Sequence, residues 1–363
     1  MMFYPYILVK CAQRNGIDAT RIAAIIACSI LLFFMALRAN TVGVDTKYYS
    51  YVFTQFKDIS WGDVFHATLY GEQTQKNTFT FDFEPGYRLL NKIVSMFFAS
   101  PQAITVVNSL LIILLLYRII QAESPMILLS IWLYITLGIY QTEMNVSRNA
   151  IAIFICFLAF RWIRERKVCF FILYVFIAAT IHQTALFFLP VYWLVNYFKL
   201  NRRRMVLLVA VSCLIGLKFD ILVSMFGAIL PSRYARYLID SSFSLKSILV
   251  GVFSAVLCGL VSCFMNRDER QTVIDKLSVG NWMFVLNMCF FGINLGIEAG
   301  ARVAALFGPY MICYIPQMIN EIESPQRRKT VIWLVVAVSF IQYVIRLQIN
   351  NIGGTMPYLF FWN

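Results

Sequence analysis

The fold of this chain is decided in residues 22–51, IAAIIACSILLFFMALRANTVGVDTKYYSY. Residues 22–37 form a long apolar run, and residues 40–51 open the longest polar interval in the sequence. Because about 20 apolar residues cross the hydrocarbon core of a bilayer, the first part predicts a transmembrane helix. That helix would deliver Asp45 and three tyrosines, Tyr48 among them, to one face of the membrane.

The composition extends this prediction to the whole chain. Hydrophobic residues make up 60% and charged residues 13% of the 363 positions, and the mean hydropathy is +0.71. Ordinary soluble domains carry about 25% charged residues. We therefore expect an all-α polytopic integral membrane protein in which residues 1–363 form a single membrane-embedded domain.

The apolar segments predict about eleven transmembrane helices. They are residues 21–39, 101–120, 125–141, 148–163, 168–181, 184–199, 205–219, 245–265, 279–297, 302–319 and 330–346.

The distribution of basic residues predicts the orientation of these helices. The net charge of +13 would suggest nucleic acid as a partner of a soluble protein, but here the dense basic clusters fall on one side of the predicted membrane. These clusters include residues 161–167, 202–204 and 327–329. By the positive-inside rule, that side and the N-terminus are cytoplasmic and the C-terminus is outside. Nucleic acid is not an expected partner.

Two long loops are predicted on the outer face. Residues 40–100 form the first, and its latter part, residues 87–98, has the amphipathic pattern of an interfacial helix. Residues 220–244 form the second loop, also with an interfacial helix.

No metal or cofactor is expected. The nine cysteines show no metal-ligand spacing, and no cluster of His, Cys and Asp has the spacing of a zinc site. None of the cysteines lies in a loop predicted outside, so no disulfide framework is expected. A glycine-rich phosphate loop is also absent from the sequence.

Four arginines are predicted on the outer face, where basic residues are scarce: Arg148, Arg233, Arg236 and Arg302. Charged groups at membrane depth are usually functional or paired, and the planar guanidinium suits phosphate oxygens. Together they predict a site for a polyanion. The simpler explanations are a salt bridge of Arg148 to Glu143, a helical pair of Arg302 with Glu298, and lipid headgroup contacts for Arg233 and Arg236.

His182 lies at a predicted helix break on the same face. It is either a structural hydrogen-bonding residue or a base or phosphate donor that works near neutral pH. His66, in the long loop, has no supporting neighbours and is predicted to be a surface residue.

Acidic and aromatic residues alternate in residues 79–87, FTFDFEPGY. Such a run is typical of a sugar-binding surface, which Asp82, Glu84 and Tyr87 would form together with Tyr358 near the C-terminus. Glu84 alternatively ends the loop before a helix, where the helix dipole favours a carboxylate. The aromatic C-terminal stretch, residues 357–362, alternatively belongs to an interfacial aromatic belt.

Short stretches along the chain occur in the order seen in EpsG-like, Wzy-type polysaccharide polymerases, and the chain resembles that family over nearly its whole length. They are residues 42–48 (VGVDTKY), 83–90 (FEPGYRLL), 147–150 (SRNA), 181–186 (IHQTAL), 296–305 and 357–358. The sequence departs mildly from the family at Arg148-Asn149, where members typically have Arg-Gln.

The resemblance implies an enzyme of O-antigen or capsule biosynthesis in the bacterial inner membrane. Such enzymes transfer a growing glycan from undecaprenyl diphosphate to the non-reducing end of a lipid-linked repeat unit at the periplasmic face, without a nucleotide sugar. Expected partners are these lipid-linked substrates, membrane lipids, a chain-length regulator and a flippase. By analogy with other membrane-embedded lipid-linked sugar transferases, a GT-C-like architecture is expected.

The expected roles follow from this reaction. Asp45 is the predicted general base, and Glu84 or His182 is the alternative. The four outer arginines would bind the diphosphate, and Tyr48, Asp82, Tyr87 and Tyr358 the glycan. Two other functions remain open, an O-antigen ligase and a flippase or other transporter of lipid-linked oligosaccharide.

Overall fold

A computed structural model describes residues 19–66, 83–219, 245–296 and 299–362. Within these ranges the chain is helical, and the only strand-like pairing is an isolated antiparallel bridge between Arg38 and Phe360. The α-helices are α1 (Ala19–Ala36), α2 (Thr46–Gln55), α3 (Trp61–His66), α4 (Pro85–Phe97), α5 (Gln102–Glu123), α6 (Ile127–Thr136), α7 (Ile139–Asn145), α8 (Ser147–Leu158), α9 (Phe160–Arg164), α10 (Val168–Ile181), α11 (Leu189–Tyr197), α12 (Arg202–Leu217), α13 (Leu245–Cys263), α14 (Arg267–Lys276), α15 (Ser278–Ile293), α16 (Ala299–Phe307), α17 (Met311–Asn320) and α18 (Pro325–Asn350). Short 3₁₀ helices occupy Gln183–Phe188, Gly308–Tyr310 and Ile352–Gly354.

Three of the described helices are long and apolar enough to cross a membrane: α1, α5 and the Pro325–Gln348 part of α18. The number rises to five if the bent pairs α6–α7 and α14–α15 each form one span. The all-helical prediction is confirmed for the described residues, and these apolar helices are those of a membrane protein. The count of eleven spans, the orientation and the GT-C-like architecture remain predictions.

Several predicted spans are divided into shorter helices at identifiable residues. Residues 125–141 break at Gly138, whose φ of +73° is left-handed, and the two helices on either side meet at 60°. Residues 302–319 are interrupted by the 3₁₀ helix Gly308–Tyr310, where Pro309 lacks the N–H that a continuous helix needs. The residues on both sides of such a break are equally apolar, so hydropathy alone predicts one continuous helix there.

The helices group into two compact units. The first unit contains residues 1–123, 130–189 and 343–363, and the second contains residues 124–129 and 190–342.

In the first unit, α5 packs against α1 and α8, and α8 packs against α10. Buried aromatic rings fill the space behind α8: Phe157 lies 5.2 Å from Phe160 and 5.9 Å from Phe188 between ring centroids. The structure thus holds α5, α8 and α10 as one block, whose helix ends carry the polar residues described below.

The predicted helix at residues 87–98 is present as α4, but its polar face is the buried one. Asn91 and Lys92 lie inside the unit, whereas Met96 and Phe97 are exposed. The Lys92 ammonium donates to the carbonyl oxygens of Phe56 (3.0 Å) and Ile59 (2.6 Å), where the chain leaves α2. A lysine near a helix C-terminus satisfies carbonyl groups that have no partner within the helix.

The C-terminal segment pairs with the stretch that precedes Asp45. The amide of Ala39 donates to the carbonyl of Leu359 (2.8 Å), and the amide of Gly43 donates to that of Gly354 (3.0 Å). These bonds hold the turn after α1 against residues more than 300 positions away in sequence.

In the second unit, α12 packs closely on α15. The contact requires glycine, because a Cβ on Gly216 would collide with the carbonyl of Gly292. Close approach at small residues is a common way for helices to associate in membranes.

Candidate active site

Three predicted site residues meet at one end of the first unit, around the carboxylate of Glu84. Its Oε2 accepts a hydrogen bond from Nη1 of Arg148 at 2.7 Å, and its Oε1 lies 2.8 Å from Nδ1 of His182. The backbone N–H of Gln183 also donates to Oε1, at 2.9 Å. Glu84 is only 6% exposed, so this is a largely buried ion pair with a histidine attached. We call Glu84, Arg148 and His182 the Glu84 cluster.

Helix ends bring these side chains together. Glu84 precedes α4 in extended conformation, Arg148 is the second residue of α8, and His182 follows the last residue of α10. Gly86 permits the approach of α4 to α10, because a Cβ at this position would collide with Thr180.

Two aromatic rings also lie against Arg148. The guanidinium carbon lies 4.7 Å from the ring centroid of Phe83 and 5.9 Å from that of Tyr87. A cation over an aromatic face is stabilised by the ring quadrupole, more strongly where water is excluded. Arg148 is therefore fixed by an ion pair and by two rings.

The pKa of Glu84 follows from its partners. Burial by itself raises the pKa of this carboxyl, but the hydrogen bond to His182, the charge of Arg148 and the Gln183 N–H outweigh burial and lower it below its usual value. Glu84 is therefore an anion at neutral pH and a weak base.

This pairing corrects one sequence-based explanation. Arg148 does not pair with Glu143, five residues away, because Glu143 is buried and accepts a hydrogen bond from Tyr134 at 2.5 Å. The partner of Arg148 is Glu84, 64 residues away.

Asp45 has a different environment in the same unit. It stands just before α2 and is half-buried, and its backbone N–H donates to Oδ1 of Asn145 at 2.7 Å. Its carboxylate forms no hydrogen bond or salt bridge with any residue that the structure describes. Burial raises the pKa of Asp45, and the charge of Arg148 only partly offsets this effect.

Two residues that position Asp45 were not identified from the sequence. Arg38, 2% exposed, donates from Nη2 to the carbonyl of Met144 at 2.8 Å, next to Asn145. Arg38 follows an apolar run directly, a position that resembles a snorkelling residue. Asn145 lies within the sequence stretch around Arg148, but nothing in that stretch links it to Asp45.

The predicted glycan-binding tyrosines have unlike environments. Tyr48 is exposed and packs edge-on against Phe83, with ring centroids 5.6 Å apart. Tyr87 is fully buried, and its hydroxyl accepts from Nδ2 of Asn108 at 2.7 Å. Tyr358 is partly buried and donates to the carbonyl of Phe34 at 2.5 Å. The buried ring of Tyr87 packs against Arg148 and so supports its position. A direct role of Tyr48, Tyr87 or Tyr358 in glycan binding remains a prediction.

Of the four remaining predicted site residues, the structure describes Arg302. Arg302 is an exposed residue of α16 in the second unit. Asp82, Arg233, Arg236 and Glu298 lie outside the described residues, as does the predicted interfacial helix of residues 220–244. Within the described ranges, no group of three or more His, Cys, Asp or Glu side chains is placed to hold a metal ion.

The described side chains therefore define a class of protein: a helical membrane protein with a buried carboxylate–arginine–histidine cluster and a second carboxylate, Asp45, at the helix ends of one unit. A protein-family model, the EpsG family, matches residues 21–360, which is nearly the whole chain. The chain belongs to the EpsG family, as its sequence resemblance predicted. Among curated proteins and solved structures, none matches the chain. Family membership supports a polymerase-like role in polysaccharide biosynthesis.

Proposed function

We propose that this protein is a Wzy-type polysaccharide polymerase. It transfers a growing glycan from undecaprenyl diphosphate to the non-reducing end of a lipid-linked repeat unit at the periplasmic face of the inner membrane. The observation that carries the proposal is the pair of unlike carboxylates in an EpsG-family chain. The Glu84 carboxylate accepts hydrogen bonds from three partners, and the Asp45 carboxylate accepts none from the described residues.

Asp45 acts as the general base in this proposal. It takes the proton of the acceptor hydroxyl while that oxygen forms a bond to the anomeric carbon of the donor. The bond between the anomeric carbon and the diphosphate oxygen breaks, and the diphosphate leaves with the electron pair. A base works best when its pKa lies near the working pH, so the raised pKa of Asp45 favours this role over that of Glu84.

Glu84 acts as a positioning residue. Since its carboxylate accepts the bond from His182, Nδ1 carries a proton, and in the neutral form of the ring Nε2 holds a lone pair. His182 can then accept a hydrogen bond from a sugar hydroxyl or serve as a second base. Glu84 also fixes the direction of Arg148.

Arg148 stabilises charge that develops on the leaving diphosphate. A planar guanidinium with five N–H donors matches the oxygens of a diphosphate. Glu84 and Asp45 offset two of the three nearby guanidinium groups, Arg38, Arg88 and Arg148, so the described residues leave little surplus positive charge for a diphosphate. The proposal therefore assigns the remaining compensation to Arg302, Arg233 and Arg236.

The glycan is proposed to contact Tyr48, Asp82 and Tyr358, with Tyr87 supporting Arg148 from below. The exposed ring of Tyr48 suits stacking on the C–H face of a sugar.

The test is a glycan ladder on a gel, from a polymerase-deletion strain complemented with Arg148→Ala. Loss of one such donor typically costs about 2.7–4 kcal/mol of barrier, or roughly 10²–10³ in rate, so the ladder should collapse to a single capped unit. Arg202→Ala, which removes an exposed arginine at the start of α12, is the matched control. A full ladder from normally expressed Arg148→Ala would remove Arg148 from the mechanism.

The deletion strain also distinguishes the other functions. Loss of a ligase leaves polymer on undecaprenyl diphosphate, and loss of a flippase accumulates untranslocated lipid-linked units. Polymerisation of purified lipid-linked repeat units by the purified protein, with and without a chelator, tests the reaction itself.

A further inference from the structure

A second polar feature lies at the other end of the first unit. Three arginines, Arg118, Arg161 and Arg164, line a cavity of about 330 Å³ between the C-terminal ends of α5 and α8 and the short helix α9. Arg148 lies at the start of α8 and Leu158, which lines the cavity, at its end. At 1.5 Å per residue, about 15 Å of helix separates the two. The cavity is therefore distinct from the Glu84 cluster.

The lining of this cavity carries a positive surplus. Arg164 forms an ion pair with Glu123, and Arg161 forms an exposed pair with Glu165 at 3.3 Å. Arg118 makes no hydrogen bond or ion pair with the part of the chain that the structure describes. Glu123 is the one carboxylate of the lining, against three guanidinium groups. The cavity is thus suited to an anion.

An apolar surface continues from the cavity along α5. Leu110, Leu114 and Arg118 are spaced four residues apart, so they lie on one face of the helix. Leu110 is 42% and Leu114 53% exposed, and α5 is long and apolar enough to span a membrane. Trp162, next to Arg161 in the chain, stacks on the exposed ring of Phe170, with centroids 4.7 Å apart. A ligand that combines an anionic head with apolar chains matches both surfaces.

We infer that this cavity binds the phosphate headgroup of an anionic membrane lipid, with the acyl chains along the Leu110–Leu114 face of α5. Guanidinium groups bind phosphate oxygens with two parallel hydrogen bonds, and basic pockets at the ends of membrane helices hold anionic headgroups. The volume is that of a small-molecule site rather than of a docked protein segment. The exposed leucines favour a lipid over free phosphate, because only a lipid has apolar chains that can pack against them.

The experiment is native mass spectrometry of the full-length protein in detergent, with phosphatidylglycerol or phosphatidylcholine of identical acyl chains. The wild-type protein should retain phosphatidylglycerol about tenfold more than phosphatidylcholine. The double variant Arg118→Gln/Arg161→Gln should lose this preference, and because neither side chain is buried, the fold should be retained. Arg202→Gln, an exposed arginine at the start of α12, is the matched control and should retain the preference.

Equal retention of the two lipids by the wild-type protein would overturn the inference. So would an unchanged preference in the double variant. A third arm adds millimolar inorganic phosphate to the wild-type protein with phosphatidylglycerol. Displacement of the lipid by phosphate would assign the cavity to a soluble phosphate, and continued retention supports the lipid.

Discussion

Asp45 and Glu84 stand in two comparable turns of the same unit. Each precedes the first residue of a short helix, α2 or α4, and neither side chain caps its own helix. Glu84 accepts hydrogen bonds from Arg148, from His182 and from the Gln183 amide. The carboxylate of Asp45 receives none from the described residues, and Asn145 holds only the backbone N–H of Asp45.

The two environments shift the acidity of the same chemical group in opposite directions. Burial acts on both carboxyls, but three donors lower the pKa of Glu84, whereas the pKa of Asp45 rises. The comparison suggests a division of labour in which Glu84 maintains geometry and Asp45 accepts the proton. The predictions below test that division.

Asp45→Asn should have the largest effect on catalysis. The amide keeps the size of the side chain but cannot take a proton, and loss of a general base typically costs about 10²–10⁴ in rate. The rate of polymerisation of purified lipid-linked repeat units is the measurement. Asp58→Asn, the same change at an exposed position of the same predicted loop, should be neutral. An Asp45→Asn protein with wild-type rate would transfer the role of base to His182.

Glu84→Gln should chiefly affect stability. Removal of one partner from a buried ion pair costs about 3–5 kcal/mol, because the other charge stays buried without compensation. The apparent Tm in detergent should fall clearly, with activity lost as a consequence. The exposed pair of Glu165 with Lys167 (2.8 Å) supplies the control, since loss of a solvent-exposed ion pair in Glu165→Gln should leave Tm nearly unchanged. If Glu84→Gln lowers the rate without lowering Tm, Glu84 takes part in the chemistry.

Asn145→Ala should lower the rate of polymerisation less than Asp45→Asn does, because it loosens only the turn that holds Asp45. The substitution removes the acceptor of the Asp45 N–H, and a hydrogen bond of this kind contributes about 0.5–1.5 kcal/mol. We expect a several-fold loss of rate with little change in Tm. Asn196→Ala, which removes a bond within one turn of α11, is the comparison and should leave the rate unchanged. An unaltered rate in Asn145→Ala would show that the turn is held adequately by Gly43 and Gly354.

A change of pH, which alters no residue, should distinguish the role of Asp45 from that of Glu84. Asp45 must be deprotonated to act, so the rate should fall as the pH falls through its raised pKa. The stabilising contribution of Glu84 is complete above the pKa it has in the unfolded chain and is lost only as the pH falls through its lowered folded pKa. On acidification, activity should therefore disappear before Tm does, and it should return on neutralisation. Parallel loss of rate and Tm would contradict the division of labour.

Sequence patterns predicted the residue types of the site better than their partners. Arg148 and His182 were found as polar residues at the ends of apolar segments and Glu84 within an acidic and aromatic run, and the structure brings the three together. The local pattern suggested Glu143 as the partner of Arg148 because it is near in sequence. The actual pairing depends on the approach of α4 to α10 at Gly86, a contact between helices that no local pattern encodes.

Buried cations were the least predictable feature. Arg38 directly follows an apolar run, and Lys92 belongs to the predicted amphipathic segment of residues 87–98. Arg38 instead donates to the Met144 carbonyl, and Lys92 to the carbonyls where the chain leaves α2. Such positions depend on unsatisfied carbonyl groups of distant helix ends, which become neighbours only after folding.

The sequence by itself determined the class of this protein and its family. Each apolar residue contributes separately to the free energy of transfer from water to lipid, so composition and apolar runs reveal a membrane protein. The family follows from the order of the motifs along the chain, which requires no knowledge of contacts between residues. Only the tertiary structure decided which carboxylate is paired and which is not. That distinction between Glu84 and Asp45 arises from hydrogen-bond geometry within about 3 Å, between helix ends as much as 100 residues apart in the chain.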